Sequence, residues 1–174
     1  GGLKVHLQAS RWVLAASGGL DSMCLLHALV KLQQDHHCPP LSVIHINHGL
    51  QLQADQWQQM VEKQCQAYGL VCFSHKVVLC TQQRRQLGLE ATARNARYEV
   101  FKQHLQPDEV LLLGQHADDQ SETLFLRLLR GAGVAGLRAM PQQRKLGLGC
   151  LVRPLLSVRQ TDLNDYAKAY GLNW

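Results

Sequence analysis

Ala15-Ala16-Ser17-Gly18-Gly19-Leu20-Asp21-Ser22 joins an apolar run at residues 11–16 to a stretch of helical spacing at residues 21–34. Two adjacent glycines let the backbone turn sharply and approach a ligand with no Cβ in the way. A helix starting here offers free N–H groups and a partial positive charge, which together suit an anion. Ser17 and Ser22 add hydroxyl donors. Asp21 conflicts with an anion unless a cation bridges them, and Mg²⁺ shared between a carboxylate and phosphate oxygens removes the conflict. A plain strand-to-helix turn with Ser or Asp as N-cap uses the same residue types. Taken alone, the segment therefore leaves an anion site and a simple turn both open. No Gly-Lys-Ser/Thr follows, so it is not a Walker loop. Ala15 stands where a serine-hydrolase elbow requires glycine.

Outward from this turn the chain alternates short apolar runs with amphipathic stretches. Leu25, Leu26, Leu29 and Leu32 give residues 21–34 one apolar stripe. A strand is expected at 42–46, and a helix at 55–68 with Trp57, Met60, Val61 and Cys65 facing inward. Next come a strand within 70–79, a helix at 89–105, a strand at 110–114 and a helix at 118–129. A Gly-rich stretch (Gly131, Gly133, Gly136) leads to a fifth strand at 151–153, and a helix at 158–170 closes the pattern. Such alternation implies βαβ units, and near-continuous apolar strands imply a sheet covered on both faces. The expected fold is α/β: an open, mostly parallel, Rossmann-like sheet of about five strands with helices on both faces, one domain over residues 1–174. Ligands of such sheets bind beyond the carboxyl ends of the strands, where residues 15–22 fall.

Composition narrows the class. Hydrophobic residues make up 46% and charged residues 18% of the 174, a globular balance that argues against disorder. No apolar run is long enough to cross a bilayer, and no basic segment precedes a long apolar core at the start. The six cysteines are scattered without a C-x-x-C pair, pointing to a reduced, cytoplasmic setting. Net charge is +5, compatible with a polyanionic partner. Its distribution says more: Arg84, Arg85, Arg94 and Arg97 form one group, and Arg127, Arg130, Arg138, Arg144 and Lys145 another.

Two further groups carry chemistry. His116 and Asp118-Asp119 stand where the fourth strand meets its helix, at the same sheet edge as Asp21. Acidic residues in a first helical turn complement the dipole, worth ~0.3–1 kcal/mol each. That accounts for acids there but not for the preceding histidine, and Asp119 is expected to complete a Mg²⁺ site with Asp21. Arg94 and Arg97 lie three apart, close enough to repel unless an anion or Glu90 sits between them; phosphate or tRNA contact is assigned to Arg94 before Arg97. His45, Asn47 and His48 close the second strand, either as nucleotide contacts or as satisfied turn residues.

The string Ser17-Gly18-Gly19-Leu20-Asp21-Ser22 after a strand resembles the PP-loop of the N-type ATP pyrophosphatases. Further segments are similar to the tRNA(Ile)-lysidine synthetases: Ile44 through Leu50, Glu90-Ala91-Thr92-Ala93-Arg94-Asn95-Ala96-Arg97-Tyr98, Gly114-Gln115-His116-Ala117-Asp118-Asp119-Gln120-Ser121-Glu122-Thr123, Leu126 through Leu137, and Arg153-Pro154-Leu155-Leu156. The resemblance implies an ATP- and Mg²⁺-dependent ligase. It would adenylate C2 of the wobble cytidine in a tRNA(Ile) with a CAU anticodon, and free lysine would then displace AMP. It makes Ser17, Gly18, Gly19, Leu20, Asp21 and Ser22 the ATP-binding residues. Asp21, Asp119, Arg94 and His116 become the catalytic set, with His116 or an Asp as the base that deprotonates the amine. No membrane partner is expected, a homodimer is left open, and further C-terminal tRNA-binding domains are expected outside this chain. The rival readings are a PP-loop tRNA thiolase, disfavoured by the unpaired cysteines, and a nucleotide-binding module without turnover.

Overall fold

A computed structural model describes residues 3–49, 53–129 and 139–174. After a short 3₁₀ turn at Lys4–His6 come β1 (Arg11–Ala15), α1 (Leu20–Asp35), β2 (Leu41–Asn47), α2 (Ala54–Ala67), β3 (Val71–Lys76), α3 (Thr81–Leu87) and α4 (Leu89–His104). β4 (Glu109–Leu113), α5 (Ala117–Leu129), β5 (Gln143–Leu146), β6 (Gly149–Val152) and α6 (Gln160–Ala169) follow. The strands form one sheet in the order β3-β2-β1-β4-β6-β5. All neighbours are parallel except the β5–β6 pair.

β1 is the axis of the sheet, and its sequence Trp12-Val13-Leu14 is apolar throughout because both faces are covered. Trp12 and Leu14 meet Leu25, Leu26 and Leu29 of α1 and Val61 of α2. Val13 points the other way, into a second core with Tyr98, Phe101 and Leu105 around α4. Trp12, Val13 and Leu14 are all 0% exposed, and burying side chains of this size contributes on the order of 1.5–3 kcal/mol each. α6 packs outside α1 through Cys24, Leu163 and Ala167. The expected helices on both faces and mostly parallel sheet are thus present.

The sheet has six strands where the sequence reading expects about five. The addition, β5, is the polar Gln143-Arg144-Lys145-Leu146 edge, exposed except at Leu146. It carries no apolar alternation to betray it, and it folds back on β6, the expected fifth strand, which lies at Gly149–Val152 rather than 151–153. The hairpin needs its glycines: Gly147 has φ +57°, and a Cβ on Gly149 would sit 2.5 Å from the Glu109 carbonyl oxygen. α3 was also unexpected, a short exposed helix ended at Gly88, φ +81°. The Gly-rich stretch with Arg130 and Arg138 lies outside the described residues. All six cysteines are free. Among the described residues no helix is long and apolar enough to cross a membrane.

Candidate functional site

β1, β2 and β4 end together, and their carboxyl ends floor a cavity of about 380 Å³. One wall is the turn after β1. Gly18 adopts φ +92°, and a Cβ there would lie 3.2 Å from Met60 Cε and from Trp57 Cβ. The turn therefore packs under α2, where only glycine fits. Ser22 Oγ donates to the Gly19 carbonyl (2.9 Å) and accepts the Ser17 N–H (3.2 Å), which ties the turn to the first helical turn. Gly19 is the N-cap of α1, and no side chain caps the helix. Of the two readings left open above, the capped turn is absent; the head of α1 is free for an anion. Gly114, just after β4, allows the strand end to touch this turn, since its Cβ would fall 3.1 Å from the Ser22 nitrogen.

The acidic corner assembles from two helix starts. His116 is 4% exposed. Its Nδ1 accepts the Asp118 N–H at 3.2 Å, so the proton of the neutral ring sits on Nε2. That nitrogen lies 3.5 Å from Asp21 Oδ2 and 3.7 Å from Asp119 Oδ2. His116 Nε2 thus faces both carboxylates. Asp119 Oδ2 also accepts the His116 N–H at 2.9 Å, so this acid does cap α5, as dipole complementation anticipates. Asp118, exposed, accepts from the Gln160 N–H and ties α5 to α6. Asp21 differs: its Oδ1 is buried with no hydrogen-bond partner. Burial raises its pKa above the usual carboxylate value, with His116 opposing and Asp119 reinforcing the shift.

The opposite wall is α4. Arg97, Tyr98 and Phe101 line the cavity. Arg94, ranked first by sequence, stands exposed outside the lining, its guanidinium carbon 5.3 Å from the Tyr98 ring centroid. No ion pair to Glu90 forms. Burial, followed by the nearby Arg94 charge, lowers the Arg97 pKa, although Tyr98 opposes the shift.

Along the floor, His45 is 3% exposed and its Nδ1 donates to the Ala16 carbonyl at 2.8 Å, which leaves Nε2 as an acceptor. Asn47 is fully occupied: its amide donates to Asp55 and Gln58 and its oxygen accepts the Gly49 N–H, so it is a turn clamp. His48 keeps a buried Nδ1 without a partner. Trp57, expected in the core stripe, is 37% exposed and lines the cavity beside Gly18. Tyr98, Gln115 and Arg153 went unremarked as individual residues, though their motifs contained them. Cys65 and Cys72 are in side-chain contact, a pairing that the absence of C-x-x-C had hidden.

Comparison with known proteins places this geometry. The family model for the PP-loop domain matches residues 3–174. A tRNA(Ile)-lysidine synthase of Pseudomonas putida is 50% identical over 171 residues, 97% of this chain and 38% of the relative. That of Coxiella burnetii is 45% identical over 165 residues, 95% of this chain and 36% of the relative. The chain thus spans little more than a third of the length of these curated relatives. The solved U34-tRNA thiolase NcsA from Methanococcus maripaludis, with its 4Fe-4S cluster, superposes with a TM-score of 0.74 at 16% identity, over 97% of this chain and 60% of that one. At that identity the agreement concerns the fold alone. An uncapped helix behind a tight glycine turn, at the switch point of a parallel sheet, agrees with the match along almost the full sequence: the chain belongs to the PP-loop domain family.

Proposed function

We propose that this domain is the adenylating centre of a tRNA(Ile)-lysidine synthetase: ATP activates C2 of the wobble cytidine of a tRNA(Ile) with a CAU anticodon, and free lysine displaces AMP. Membership of the PP-loop family implies ATP use. The names and 45–50% identity of the relatives support the tRNA substrate. The observation that carries the reading is the convergence of the uncapped α1 N-terminus with Asp21, His116 and Asp119 on one cavity.

Each part of that wall has a task. Gly18 and Gly19 hold the backbone where the N–H groups of α1 face the ATP phosphates, and Ser17 and Ser22 keep the turn in that shape. Mg²⁺ fits Asp21 and Asp119, because Asp21 Oδ1 is a buried acceptor with nothing to accept. Among the described residues no group of three or more His, Cys, Asp or Glu is arranged to hold a metal. That suits an ion completed by phosphate oxygens and water rather than by an all-protein cage. When bound, such an ion would neutralise phosphate charge and open the α-phosphorus to the cytidine carbonyl oxygen. His116 Nε2 faces both carboxylates, 3.5 Å from Asp21 and 3.7 Å from Asp119. His45 Nε2 and Trp57 offer an acceptor and an aromatic face to a base.

The deciding experiment incubates the chain with ATP, Mg²⁺, lysine and tRNA(Ile) and weighs the tRNA product. A gain of one lysine less one water, with pyrophosphate released, is expected. Pyrophosphate release with no lysine adduct would assign the domain to another adenylating enzyme, and ATP binding without release would make it a binding module.

A further inference from the structure

Beyond the acidic corner, one side-chain cluster stands out for what it lacks. Arg94 and Arg97 from α4, Arg144 from β5 and Arg153 just after β6 converge on Tyr98. The Arg94 and Arg144 guanidinium carbons lie 5.3 and 5.0 Å from its ring centroid. Arg144 and Arg153 act electrostatically on its phenol, and Arg97 precedes it in the chain. Among the described residues four other cations are paired with acids: Arg11 with Glu109, Lys76 with Asp55, Lys102 with Glu99 and Arg159 with Asp162. Among the described residues none of the four arginines about Tyr98 has such a partner.

Four guanidinium groups repel one another, and burial aggravates the cost. Arg153 is 2% exposed and held in place by Gln115 Oε1 and the Pro141 carbonyl oxygen. Cation–π contact recovers part of the penalty but leaves the charge in place. A cluster retained under these conditions is built for a counter-charge from outside. Its position limits the kind. Arg97 and Tyr98 line the cavity, while Arg144 lies exposed on the edge strand. The bound anion therefore continues from the cavity outward over α4 and the hairpin, on the wall opposite the α1 N-terminus.

Resting on the function proposed above, we propose that this cluster binds the RNA backbone: phosphodiesters flanking the reacting nucleotide cross the domain over α4 and the β5–β6 hairpin, clamped by the exposed Arg94 and Arg144, with the charge of buried Arg153 behind them. Planar guanidinium forks suit phosphate oxygens, and a track of this kind adds affinity without reading sequence. The triphosphate and the RNA backbone are thereby held on opposite walls, with the reacting base between them.

The test measures binding of an anticodon stem-loop RNA carrying CAU, and of ATP, to the wild-type chain and to Arg144→Gln and Arg144→Lys. Arg144→Gln is expected to weaken RNA binding about tenfold and to lower the slope of log affinity against log salt by about one. ATP affinity and melting temperature should stay as in the wild type, and Arg144→Lys should restore the salt slope. RNA affinity and slope unchanged in Arg144→Gln would overturn the assignment while leaving the function intact. So would an effect confined to the KM for lysine, which would give the cluster to the amino-acid carboxylate. A wild-type chain that binds ATP and no RNA would overturn this assignment, while the function proposed above is decided separately by the mass of the tRNA product.

Discussion

The two walls of the cavity solve opposite electrostatic problems. On the α1 side two carboxylates, Asp21 and Asp119, face a single histidine, and one oxygen is buried with nothing to accept. On the α4 side four arginines gather about Tyr98, two of them over its ring, and among the described residues none has an acidic ion-pair partner. Each wall alone is frustrated; under the function and the clamp proposed above, a cation would relieve the first and an anion the second. Sites are commonly where a chain keeps costs that its core does not tolerate. Under the proposals above, the opposing signs would divide the work between metal–phosphate chemistry and holding the polyanion.

The sharpest way to break this contrast is Asp21→Asn. If the acidic corner serves chemistry rather than folding, pyrophosphate release should fall about 10²–10³-fold. The melting temperature should hold or rise, because a carboxylate whose pKa is raised by burial costs stability when charged. Retained turnover with a large loss of stability would make Asp21 a structural residue. His116→Ala comes next. If the group that faces both carboxylates orients them, its removal should cost about 10–100-fold in turnover, with ATP affinity changed less, and an unaltered rate would sink that orienting role. Gly18→Ala tests the turn that both walls depend on. The positive φ, with Trp57 and Met60 in the way of a Cβ, should cost about 1–2 kcal/mol in urea unfolding, together with weaker ATP binding.

The smallest effect belongs to the basic side. His48 has its pKa lowered by burial first, then by Arg97 and His45. The unfolded chain takes up a proton near the ordinary histidine value of about 6.5, whereas the fold refuses it until a lower pH. This group's contribution is therefore whole above that value and is lost as pH falls through the window below it. A fall of about 2–4 °C in melting temperature between pH 7 and pH 5 is expected, made shallower by His48→Gln. An identical pH profile for wild type and variant would show that the α4 wall exerts no such field.

How legible these walls were follows from how they are made. The acidic corner is written in short runs, residues 17–22 and 116–119, so glycine pairs and helix-start acids announce it before any fold is known. The basic wall is not contiguous. Arg94 and Arg97 share a helix face, but spacing does not say which of them turns toward the cavity, and the structure puts Arg97 there and Arg94 outside. Arg144 and Arg153 reach Tyr98 only because β5 and β6 fold back beside β4, and β5 was invisible to apolar patterning since Gln143, Arg144 and Lys145 are all solvent-facing. Trp57 misled for a related reason: it keeps helical register with Met60 and Val61, yet lies at the end of α2 that overhangs the cavity. Periodicity reports which side of a helix is apolar and is blind to where the neighbouring layer stops.

The place of β1 in the sheet also has a kinetic consequence. Ala15, at its end, pairs with Ile44 on one side and Leu113 on the other, so Asp21 and Asp119 become neighbours only after β4 docks, about a hundred positions downstream of β1. Closing so long a loop is entropically slow and comes late relative to local helix formation. A partly folded chain therefore has the glycine turn but not the second carboxylate, and the competence to grip a nucleotide arrives with the completed sheet.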